Sequence, residues 1–189
     1  MSALPSQPPA PVRRLGLYDT WWTVCAAALA ACLALAACTW MSLHLHTDAT
    51  LHTAALFVHL ASLILGFGAV LVADYYALLW LTGRCTLPDT LTAAARLHLP
   101  IWTGLAGLVA SGVLLHPDLG STLTRTKLAL ILVLTVNGLQ AGLLNRRTAQ
   151  HPAGSPLGTR LLAWGAATAL TSQVCWWGAV LIGFLNSRR

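Results

Sequence analysis

The chain has 189 residues, 57% of them hydrophobic and only 8% charged, with a mean hydropathy of +0.70. A soluble domain carries roughly 25% charged residues, so this composition excludes an ordinary water-soluble globule and points to the bilayer. The formal charge of +6 comes from ten arginines and one lysine, Lys127, against five aspartates and no glutamate; these charges flank apolar runs, so they read as topology signals and contacts to anionic lipid, and a nucleic-acid partner is excluded.

In chain order, residues 1–19 form a proline-rich tail, read as disordered, whose Arg13 and Arg14 precede the first apolar run. Runs then cover about 20–41, 53–82, 92–115, 126–145 and 160–185, each reaching the roughly 20 residues that span a bilayer. The expected fold is all-α: a polytopic membrane protein whose residues 20–189 make one domain of five transmembrane helices, with a four-helix bundle as its core.

The first run contains "LAAC" twice, ending at Cys32 and Cys38. A retained signal anchor is the reading adopted, and lipid-modified cleavage at one of these cysteines is its rival. The five cysteines show neither C-x-x-C nor zinc spacing and read as small apolar residues. Small residues at helix–helix spacing, Gly66 and Gly68, Gly104 and Gly107 with Ser111, and Gly138 with Gly142, favour a compact bundle.

Seven basic residues (Arg13, Arg14, Arg84, Arg96, Arg146, Arg147, Arg160) fall on the side of the N-terminus and four (Arg125, Lys127, Arg188, Arg189) on the other. By the positive-inside rule this predicts a cytoplasmic N-terminus, and with the Ala/Leu/Arg bias of a GC-rich bacterial genome the expectation is a multi-pass protein of the bacterial inner (plasma) membrane.

"FVHLASLILGFGAVLVADYY" (57–76) carries two titratable residues inside an apolar run, and such groups are costly in lipid. His59 and Asp74 are fifteen residues apart, within about 60° on one helix face but roughly 22 Å apart in height. They therefore belong to two polar layers. The inner layer groups Asp74 with Arg96 and His98, either as an ion pair joining the second and third helices or as a proton or electron relay. The outer layer groups His59 with His116 and Lys127. A histidine facing the chain's single lysine suits a neutral imidazole that ligates a group whose anion the lysine offsets. The plainer alternative is a core histidine beside a snorkelling lysine. Between the first two runs, "MSLHLHTDATLHT" (41–53) adds His44, His46, His52 and Asp48, a set suited to copper or zinc, or simply a polar loop.

"FVHLASLILGFGAVLVADYYALLW", a further helix, and "TKLALILVLTVNG" together resemble the CopD-like membrane superfamily, which includes copper-resistance membrane proteins and the haem-containing membrane protoporphyrinogen oxidases of bacteria. The resemblance covers about residues 53–147. It implies haem b, with the oxidases' required histidine and lysine falling on His59 and Lys127. The chain departs from that pattern in an extra helix before the core, and in Asn137 standing about where the oxidases tend to have a histidine. The segment is also similar to actinobacterial integral membrane proteins of unassigned role.

The expected function is to bind haem b, or a transition metal such as copper, near the outer face, with redox chemistry or metal handling to follow. In the haem version His59 is the axial ligand, Lys127 pairs with a propionate and His116 is a candidate second ligand. The rivals are a copper or zinc transport or resistance protein with its entry at His44, His46 and His52, and a structural or assembly subunit working as a homo-oligomer or within a membrane complex. Whether the chain is an enzyme stays open. No phosphate-binding loop, zinc-protease helix or nucleophile elbow occurs.

Overall fold

The computed structural model describes residues 21–45, 48–148 and 158–186, and these are helical apart from short connections. Five helices run up and down: α1 (Trp21–His44), α2 (Ala49–Leu81), α3 (Leu87–Leu114), α4 (Thr122–Thr148) and α5 (Thr159–Asn186). All five are long and apolar enough to cross a membrane, which makes the chain a multi-pass membrane protein. The expected tail at 1–19 lies outside the described residues.

Helices α2, α3 and α4 start four to five residues before the apolar runs that announce them, because their first turns carry polar residues, and those of α2 and α3 are capped. Asp48 caps α2, its carboxylate accepting the Leu51 N–H at 2.7 Å. Thr86 caps α3 ahead of Pro88, whose missing N–H costs nothing in a first turn. At the other end of α2, Gly83 adopts φ +74 while its N–H and that of Arg84 close onto Trp80 O and Leu79 O at 3.0 and 2.8 Å. This is the Schellman stop that a left-handed glycine permits.

Helix association in lipid gains little from hydrophobicity and depends on close packing and hydrogen bonds. The α2–α3 pair meets through its small residues. A Cβ on Gly104 would collide with the Gly66 backbone and the Ser62 carbonyl, and one on Gly107 with the Ser62 hydroxyl. Gly66 also receives the edge of Trp176 from α5, and Gly138 of α4 receives Trp102 from α3. Helices α2–α5 thus form a ring around Val70, Leu105, Leu134, Cys175 and Trp176. The thiol of Cys175 is free and packs there as an apolar group.

Helix α1 stands outside this ring, against α3 and α4, and Ser42 is its one buried residue. The architecture is the expected four-helix core with an added first helix. The end of the bundle where α1 finishes and α2 starts is its upper end.

Candidate functional site

The expected inner layer has the right height but the wrong partners. The Asp74 carboxylate accepts a hydrogen bond from the Gln173 side-chain amide of α5, and the Gln173 carbonyl in turn accepts the Trp177 indole N–H at 3.1 Å. Asp74 pairs with neither Arg96 nor His98. Helix rotation explains this: Asp74 is about 80° around from Gly66, which faces α3, and only about 20° from Phe67, which stacks on Trp176 of α5. Arg96 is exposed, and His98 accepts the Trp102 indole N–H on Nε2 at 2.9 Å. Gln173 was not among the expected partners, although a lone amide inside an apolar run was a usable signal.

The run of loop histidines also resolves differently. His44 closes α1, with Nδ1 2.8 Å from Trp40 O and its ring 4.4 Å from that indole, and His52 lies in the first turns of α2. His46 falls outside the described residues. Among the described residues no three His, Cys or Asp side chains converge as a metal site would need. The connection is too short to gather them, since 41–44 and 49–53 are helical.

The outer layer does assemble. A cavity of about 1290 Å³ opens at the upper end between all five helices, and His59, His116 and Lys127 all line it. Its deeper wall is apolar, with Leu63, Leu105, Leu108, Ile131 and Leu134 above the floor residue Trp176. His59 lies ten residues into α2, about 15 Å from that helix's start, yet it is level with Ser111, three residues from the end of α3. The upper turns of α2 therefore project past α3, and His59 sits well inside the mouth.

His59 is half-buried, with Nδ1 2.9 Å from the Ser111 hydroxyl. The opposite ring edge, carrying Nε2, is left to the cavity. Lys127 reaches across toward α5, where a Cβ on Gly183 would stand 3.8 Å from its Nζ. It shares the cavity with His59 and makes no ion pair or hydrogen bond with a described residue.

His116 lies just beyond α3, past the expected run that ends at residue 115. It follows the α3 cap in the left-handed region at φ 47, and its Nε2 lies 2.6 Å from the Leu45 carbonyl at the end of α1. It therefore ties α1 across the cavity mouth. Asn137, at mid-depth on α4, holds helices together: its amide donates to Thr168 O at 2.9 Å and its carbonyl accepts from Gln140.

No family model, no curated protein and no solved structure matches this chain.

Proposed function

We propose that the chain binds haem b in the five-helix cavity, near the outer face of the bacterial inner membrane, with its N-terminus in the cytoplasm. One observation carries the reading. His59 and Lys127, two titratable side chains set inside apolar segments of different helices, open onto one cavity whose deeper wall is apolar.

The donor set suits that group. Haem iron takes an imidazole lone pair, and Nε2 of His59 is the ring nitrogen turned to the cavity. The macrocycle takes apolar walls, which Leu63, Leu105, Leu108 and Ile131 provide. The propionates take a cation near water, and Lys127 lies five residues from the start of α4. When bound, haem b supplies one-electron redox chemistry at iron. The chain's own residues hold, orient and partly exclude water from it. The CopD-like resemblance implies the same two positions. His116, engaged at Leu45, serves as a mouth residue in this reading and not as a second axial ligand.

The scaffold alternative gives no role to the opening of His59 and Lys127 onto one cavity. The copper or zinc alternative lacks a converging donor set among the described residues.

A reduced-minus-oxidised absorption spectrum of the detergent-purified protein tests the reading. Haem b bands in the wild type and their loss in His59→Ala are the expected result. Wild-type protein without haem bands overturns it.

A further inference from the structure

We propose that Ser111 is a positioning residue that fixes the His59 imidazole as the Nδ1–H tautomer, so that Nε2 presents its lone pair to the cavity before any ligand arrives.

The hydrogens around this pair can be counted. A serine hydroxyl has one proton to give. The Ser111 oxygen lies 2.6 Å from the Gly107 carbonyl, four residues back on α3, and 3.4 Å from the Leu108 carbonyl. The short contact takes the proton, leaving the oxygen as an acceptor toward His59 Nδ1 at 2.9 Å. Nδ1 therefore faces an acceptor at Ser111 and carries the hydrogen, so in the neutral ring Nε2 is the unprotonated nitrogen.

Two features keep this arrangement from relaxing. Ser111 is 3% exposed, so water does not compete for its oxygen. Gly104 against Gly66 and Gly107 against Ser62 lock the height of α3 on α2, and with it the distance between the hydroxyl and the ring. His98 provides the contrast: its Nε2 is occupied by the Trp102 N–H and is closed to a ligand. Ser111 also separates the ligand classes the cavity accepts. A Lewis acid such as haem iron meets a ready lone pair at His59, whereas a ligand needing a hydrogen-bond donor there finds none.

The consequence for haem rests on the function proposed above, while the tautomer itself does not, and the experiment separates the two. Solid-state NMR of ¹⁵N-histidine-labelled protein without haem, with the His59 signals assigned by their loss in His59→Gln, reads the tautomer directly. The Nδ1–H form is expected in wild type and in Ser111→Thr, which keeps the hydroxyl, and a mixed population in Ser111→Ala. Titration of the same proteins with hemin then reads the consequence. Removing a partner of this kind typically weakens metal affinity about 10–100-fold, so Ser111→Ala should lose that much and Ser111→Thr should recover most of it. A wild-type His59 in the Nε2–H form overturns the inference whatever the variants do. Ser111→Ala that keeps the wild-type Nδ1–H form overturns the positioning role, and wild type in the Nδ1–H form that takes up no hemin overturns the haem reading alone.

Discussion

The carboxylate of Asp74 in α2 accepts a hydrogen bond from the side-chain amide of Gln173 in α5, ninety-nine residues away in sequence. This contact joins the first and last helices of the four-helix ring. It also closes a short chain in which Trp177 fixes the Gln173 carbonyl, and so aims its amide nitrogen at the carboxylate.

Removing either partner should destabilise the bundle. Asp74→Ala and Gln173→Ala are each expected to cost roughly 1–2 kcal/mol, the worth of a charge-assisted or desolvated hydrogen bond. The double variant should cost less than the sum of the two, because the pair acts as a unit. Arg96→Ala, at an exposed position, should stay within about 0.5 kcal/mol. Thermal unfolding in detergent measures all four; an Arg96 variant as damaging as the Asp74 variant would restore the ion pair that the helix rotation rules out.

The α2–α3 contact should tolerate no added carbon at its centre. Gly104→Ala sets a methyl against the Gly66 backbone and is expected to cost about 1–3 kcal/mol through overpacking. At Gly68, although it is two residues from Gly66, an added Cβ would meet nothing within 4 Å, so Gly68→Ala should leave the melting temperature unchanged or slightly raised. Equal loss at both positions would place the helix contact elsewhere.

Lys127 should govern how tightly the proposed haem binds but not how its iron is ligated. Lys127→Met is expected to keep the absorption bands of the wild type while weakening hemin affinity. A hydrogen bond to a charged group is worth about 1.5–3 kcal/mol, and less where water reaches it. His44→Ala should change neither, because His44 turns to its own helix and does not line the cavity. Lost bands in Lys127→Met with affinity retained would reverse the two roles.

Orientation is open to direct labelling. With the N-terminus in the cytoplasm, Ala49→Cys at the top of α2 should react with a membrane-impermeant maleimide on intact cells. Arg84→Cys in the α2–α3 connection should react only after permeabilisation. Both positions are exposed in the structure. The opposite pattern would put the cavity on the cytoplasmic face.

What the sequence determined by itself was the count of helices, their approximate spans and the height of each polar residue. Hydropathy records how long a segment stays apolar, and the rise per residue converts position into depth. That arithmetic brought His59, His116 and Lys127 to one end, and put Asp74 level with Arg96. Tertiary structure decided rotation. Asp74 turns to α5 because Gly66, Gly104 and Gly107 press the neighbouring face of α2 against α3, and no single-helix count can say which face a neighbour takes. It also decided where helices end. His44 and His52 are separated onto two helices, because polar end turns extend α1 and α2 beyond their apolar runs. The partner of His59 was settled the same way: Ser111 meets it only because close glycine contacts hold α3 at that height, a packing fact carried by two helices together and by neither alone.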